Sequence, residues 1–253
     1  MTRVDDFCIL NSEFRKPQEV ALRALETRPD LVTEAYQAMK GAIMAGDLAP
    51  GTYLAQEDLA SRLGVSRQPV SHALMLLRHD GLVVERGRKG QMVAPIDPND
   101  ILSMYQARGA LDALAARLTA ERAAEHADEF AGIFEPLLAE GQAAMAKGDI
   151  DRLLAADVAF HQTIYRLSGN SRIEIMTEAA WHHVQRSMRI VLVDSERRRF
   201  AWEEHGQIVD AILSGDEERA ADVAVNHAEA AGEATYRRLM AKRQETPAEI
   251  SGA

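Results

Sequence analysis

The sequence predicts a mainly α protein, with an N-terminal winged helix-turn-helix ahead of an all-α helical bundle. Three observations carry that expectation. Residues 56–95 set two short amphipathic helical patterns around a Leu63-Gly64-Val65 turn, followed by a basic hairpin, Arg86-Gly87-Arg88-Lys89-Gly90. Beyond Pro98, long stretches of helical period are separated by Gly148-Asp149, Gly169-Asn170 and Gly215-Asp216 breaks. Hydrophobic residues make up 47% of the chain and aromatics only 5%, with Ala and Leu dominant, which favours helix.

Residues 1–30 show no sustained period and are punctuated by Pro17 and Pro29, so they read as an extension. Thr33 suits the N-cap of a first helix through about Ala45, with Ala35, Met39, Ala42 and Ile43 on one face. Gly46-Asp47 ends it and Pro50-Gly51 turns the chain. A second helix is expected over Gln56–Leu63, closed by Gly64 in a left-handed cap. Ser66 is placed to cap the third, which turns Val70, Ala73, Leu74 and Leu77 inward and stops at Asp80-Gly81. Residues 82–84 and 91–93 read as strands flanking the wing. Ala94–Pro98 is the linker, with Asp97 an N-cap and Pro98 at the first helical position. Helices are then expected at about 98–124, 126–147, 149–168, 171–192, 195–214 and 216–243. The domains are therefore an extension at 1–30, a winged helix-turn-helix at 31–95, a helical domain at 98–243 and a tail at 244–253.

Composition excludes several classes. A single cysteine, Cys8, rules out a disulfide framework and fits the cytoplasm. No apolar run is long enough to span a membrane, and the pattern of the first residues leads to the expectation of no secretory signal. The net charge of −10 argues against nucleic acid until its distribution is considered. Residues 31–95 hold seven basic and six acidic residues, whereas residues 96–253 hold 17 basic and 27 acidic. The acid thus sits mostly behind the helix-turn-helix.

In this motif the second helix offers its N-terminal residues to base edges in the major groove. Those residues are Ser66, Arg67, Gln68, Ser71 and His72. Arg67 can pair bidentately with guanine and Gln68 with adenine. Arg86, Arg88, Lys89 and Gly90 form a wing able to reach the backbone or minor groove, and Arg78 can touch phosphate. Double-stranded DNA is the expected partner.

A second constellation lies further on. Asp157 and His161 are four residues apart and share a helix face. His205 and His227 flank the Ser214-Gly215-Asp216 turn. His205 stands roughly 13 Å from it and His227 roughly 16 Å, so in an antiparallel pair their rings nearly coincide in height. Three imidazoles and a carboxylate suit zinc first, with nickel or another divalent ion as alternatives. Spacing alone leaves open an ordinary surface Asp/His pair with unrelated histidines elsewhere.

The first constellation resembles the GntR family of transcription regulators through Leu59-Ala60, Leu63-Gly64-Val65-Ser66-Arg67, Pro69-Val70, Ala73-Leu74, Leu77, Gly81-Leu82-Val83 and the Gly87–Gly90 wing. Glu57 and Ser71 stand where that family often has operator-contacting arginines, which puts the operator sequence in question. Residues 98–240 resemble the helical FCD domain of the FadR-type branch. The matching residues are Arg108-x-x-Leu111-Asp112, Asp157-x-x-Phe160-His161, Ser168-Gly169-Asn170, Glu204-His205-x-x-Ile208 and Asn226-His227, although glutamate is more usual than Asp112. The resemblance implies that Asp157, His161, His205 and His227 hold a metal, with a small carboxylate effector beside it. Arg108 and Arg186 are candidate clamps for that effector, and Asn170 is a third candidate whose residue type also suits a helix cap.

The combined expectation is a homodimeric, ligand-responsive DNA-binding regulator, a repressor in first reading and not an enzyme. Two rivals are a metal-dependent hydrolase fused to a DNA-binding head and an architectural DNA binder without effector. Turnover of esters or amides would mark the first, and failure of every organic acid to stabilise the protein would mark the second.

Overall fold

The computed structural model describes residues 30–87 and 90–245. Among these, α1 (Leu31–Ala45), α2 (Gln56–Leu63) and α3 (Arg67–His79) precede β1 (Val83–Glu85) and β2 (Gln91–Val93). The strands pair antiparallel with Val83 opposite Val93, and Tyr53 adds a bridge to Met92. Gly64 closes α2 at φ 67°, a left-handed conformation that glycine adopts without a Cβ penalty. Val70, Ala73, Leu74, Leu77, Leu82 and Val93 are wholly buried, and with Met39, Ile43 and Leu59 they make one small core.

Two local expectations need correction. α1 begins at Leu31, so Thr33 lies inside it and is not its cap. Asp30, which immediately precedes the helix, is of a capping type that ranks above threonine. Ser66 occupies the N-cap of α3 in extended conformation, but its hydroxyl makes no capping hydrogen bond.

Six helices follow: α4 (Pro98–Ala123), α5 (Ala127–Lys147), α6 (Ile150–Leu167), α7 (Ser171–Val191), α8 (Ser195–Leu213) and α9 (Glu217–Glu245). Asp97 caps α4 by accepting from the Asn99 and Asp100 backbone N–H groups at 2.8 and 3.3 Å. α9 continues two residues past the expected end, through Gln244 and Glu245, both good helix formers. The extension at 1–29 and the tail from residue 246 lie outside the described residues.

α4 lies along α9, and glycines permit the close approach. A Cβ at Gly232 would come within 2.6 Å of Tyr105 Cβ, and one at Gly109 within 3.4 Å of Ala228 Cβ. The bundle core runs through Tyr105, Ala116, Phe134, Phe160, Ile208 and Ile212. The winged domain and the bundle thus have separate cores. From Leu31 onward they nonetheless form one compact unit. α7 supplies the join: His182 Nε2 lies 3.0 Å from Lys40 Nζ on α1, and Arg186 Nη2 donates to the linker carbonyl of Ala94 at 2.6 Å. Among the described residues, no helix is long and apolar enough to cross a membrane.

Candidate DNA interface and metal centre

Burial of one face of α3 leaves its first turn outward. Ser66, Arg67, Gln68 and His72 are exposed and Ser71 is half-buried. Arg67 shares a surface concavity of about 500 Å³ with Glu57, Gly90 and Gln91, so the helix start and the wing base face the same space. Arg86 is exposed at the wing. Arg88 and Lys89 lie outside the described residues. Arg78 differs from expectation: it is exposed, but its guanidinium is engaged by Glu85 on β1. A phosphate would have to compete with that carboxylate.

The second constellation assembles inside the bundle. α6 carries Asp157 and His161, α8 carries His205 and α9 carries His227, all at 5% exposure or less. Nitrogens of the three imidazoles lie within 4.8 Å of one another. His205 Nε2 is 3.3 Å from His227 Nε2 and 3.5 Å from Asp157 Oδ1. Two nitrogens each ~2.0–2.1 Å from one tetrahedral ion would stand about 3.3 Å apart. His161 Nε2 and Asp157 Oδ2 are buried with no hydrogen-bond partner. Unsatisfied buried polar atoms are rare, and several around one point suit the binding of a ligand or ion.

Electrostatics fit the same purpose. Burial, followed by the nearby Arg108 charge and the other imidazoles, pushes His161 well below its ordinary value. Burial and His227 do the same to His205. Neutral rings keep the lone pairs that a metal needs. Burial raises Asp157, partly offset by Arg108, and a divalent cation would reverse that shift. Phe160 stacks on His205 at 4.2 Å between centroids and Trp202 meets the same ring edge-on at 4.6 Å, which fixes its plane.

Four supporting residues had no role assigned from the sequence, although Glu204 stands in the Glu204-His205-x-x-Ile208 match. Glu204 Oε2 takes a 2.8 Å hydrogen bond from His227 Nδ1, which directs Nε2 inward. Arg197 holds Glu204 in turn at 3.2 Å. Tyr165 donates to Asp112 Oδ1, and Trp181 lies 4.4 Å from the Arg108 guanidinium. Glu204 was visible beside His205; Tyr165 and Trp181 carried no local signal distinct from core.

Arg108 is 4% exposed and leans on Asp112, with Nε 3.1 Å from Oδ2. Its Nε and Nη2 make no hydrogen bond. Burial works against its charge, but Asp112 more than compensates and holds the guanidinium protonated. Arg108, Asp157, His227 and Tyr105 border a space of about 30 Å³, roughly one water. The other two effector candidates lie elsewhere. Asn170 caps α7, accepting from Arg172 N at 3.1 Å. Arg186 points to the linker, because it sits on the α7 face that meets the winged domain.

A winged helix-turn-helix with an outward recognition helix, joined to a helical bundle with a buried polar centre, defines a DNA-binding transcription regulator. Comparison with known proteins gives the family. The family described as "Bacterial regulatory proteins, gntR family" matches residues 31–93, and the "FCD domain" family matches residues 103–230. An uncharacterized HTH-type transcriptional regulator from Streptomyces ambofaciens is 31% identical over 188 residues, covering 72% of this chain and 75% of its own. A probable D-xylose utilization operon transcriptional repressor from Paenarthrobacter nicotinovorans is 31% identical, covering 79% and 87%. The crystal structure of a GntR regulator from Rhodococcus sp. RHA1 shares the fold at TM-score 0.67 and 22% identity, over 83% of this chain and 98% of its own. This chain belongs to the GntR family of transcription regulators and carries an FCD domain.

Proposed function

We propose that this regulator is a homodimeric repressor that senses a small organic acid at a metal ion held by Asp157, His161, His205 and His227. The observation that carries the reading is the buried imidazole cluster beside Arg108, whose Nη2 is buried without a hydrogen-bond partner while its Nε is paired with Asp112. The ion, zinc in first preference, would supply a positive centre for one carboxylate oxygen. Arg108 would take the second oxygen and align the acid. The name of the Paenarthrobacter relative supports repression.

The one-water space is too small for an organic acid, so binding requires its walls to part. Met188, Val191 and Leu192 on and beside α7, with Arg197 and Ala201 on α8, form part of those walls. α7 also carries Arg186, which grips the linker. An acid that binds better when α7 has shifted would therefore bias the reading heads. Two heads in a dimer would address half-sites about 34 Å apart.

Elemental analysis of protein purified without chelator should find about one divalent ion per chain. Thermal shifts and operator binding across a panel of organic acids should identify stabilising acids that alter operator affinity. Arg108→Ala should abolish that response while leaving basal operator binding intact. Finding neither metal nor an active acid refutes the reading.

A further inference from the structure

A second cavity, of about 380 Å³, lies away from the imidazole cluster at the seam between winged domain and bundle. That volume is usual for small-molecule sites. Its apolar lining comes from Ile43 and Met44 at the end of α1, Pro50 in the turn that follows, Ile96 in the linker, and Ile190 and Val193 at and just beyond the end of α7. Its polar lining is entirely cationic among the described residues: Arg186, Arg189 and Lys242. Arg186 is only 5% exposed. Its Nη2 is satisfied by the Ala94 carbonyl, but Nη1 is buried without a hydrogen-bond partner, as is Arg189 Nε. Asp151 pairs with Arg189 through Nη2, which leaves that Nε free for another acceptor.

We propose that this cavity is a second ligand site, separate from the imidazole cluster, for an amphipathic organic anion: a carboxylate on an apolar chain or ring. The carboxylate supplies the acceptors that the two guanidinium groups lack, and Lys242 adds charge at the α9 side. The apolar body covers Ile43, Met44, Ile96 and Ile190. A small hydrophilic acid would leave those side chains wet, and a neutral lipid would leave the buried guanidinium nitrogens unpaired. An occupant touches head, linker and body at once, so it binds best while the three keep this arrangement. This site does not depend on a metal and stands or falls apart from the function proposed above.

Octanoate serves as the probe. In a Cys8→Ser background, Val193→Cys places one thiol at the cavity rim, where Val193 is 59% exposed. Octanoate should slow alkylation of that thiol by iodoacetamide about tenfold at ten times its half-protecting concentration. Acetate and octanol at the same concentration should not. Arg189→Gln with Lys242→Gln should raise the half-protecting concentration about tenfold; Arg186 is kept because it holds the linker. Chelator treatment should leave the protection unchanged. An unchanged alkylation rate, equal protection by octanol, or indifference to the double substitution overturns the proposal. Protection lost with the metal would place octanoate at the imidazole cluster, refuting this site and leaving the function above intact.

Discussion

Replacing Gly141 by alanine should destabilise the bundle, although helix propensity argues the opposite. Gly141 lies inside α5, where alanine would gain about 1 kcal/mol over glycine in an open helix. Its surroundings decide the sign. A Cβ there would fall 1.5 Å from Trp202 Cζ2, and Trp202 is itself 4% exposed. The indole must move, and overpacking a close-packed site costs about 1–3 kcal/mol. Movement also breaks the 3.0 Å bond from Trp202 Nε1 to the Leu138 carbonyl, worth about 1 kcal/mol. The net is a loss of about 1–3 kcal/mol, which for a domain of this size lowers Tm by roughly 2–10 °C. Calorimetry on the full chain measures it. Trp202→Leu should relieve part of the clash, so the double variant should be more stable than the two single losses added together, with a coupling of about 1 kcal/mol or more. A raised Tm for Gly141→Ala, or strict additivity with Trp202→Leu, would refute the steric argument.

Other outcomes follow from the same geometry. Arg67→Ala should weaken binding to the specific operator by about 1–3 kcal/mol and hardly alter nonspecific binding, read by competition electrophoresis. Glu204→Gln should lower zinc affinity about 10- to 100-fold, because Glu204 orients His227, as titration against a metallochromic indicator would show. Chelation should lower the Tm of wild type and leave that of His161→Ala unchanged. Asp97→Ala should lose about 1 kcal/mol at neutral pH through the α4 cap. Backbone donation from Asn99 is the largest influence and lowers the Asp97 pKa; burial opposes it, and backbone donation from Asp100 with the Arg243 guanidinium tips the balance downward. Its contribution is therefore complete above the ordinary aspartate value and fades as pH falls through the lowered folded value; denaturant melts at pH 7 and pH 3 would differ accordingly.

The helical layout was legible because its punctuation is chemical. Glycines at 64, 148, 169 and 215 all adopt positive φ next to a helix end, and Asp97-Pro98 starts α4. The meeting of His205 and His227 followed from rise per residue alone, because both helices leave one tight turn. Thr33 misled because Asp30 and Thr33 are both capping types three residues apart, and the helix begins directly after Asp30, the stronger type of the two. Arg186 misled for a different reason. Trp181 and Arg186 are five residues apart, about 140° out of phase on a helix of 3.6 residues per turn. The first faces Arg108 and the second faces Ala94. Nothing in the one-dimensional pattern told which face of α7 would meet which neighbour.

The hold that Arg186 exerts on the Ala94 carbonyl has a consequence for operator geometry. The other end of the linker, Asp97, is already built into the first turn of α4. A tether secured at both ends transmits torque instead of absorbing it. In the proposed homodimer, such a head would turn with the body that carries it instead of reaching for a displaced half-site. Inserting one base pair between half-sites rotates them by about 35° around the duplex. A loosely strung head would follow that rotation at little cost, whereas this one should lose most of its affinity, and restoring a full helical turn should recover only what the added distance allows. Operator spacing would then be read as phase, by the stiffness of the four residues from Ala94 to Asp97.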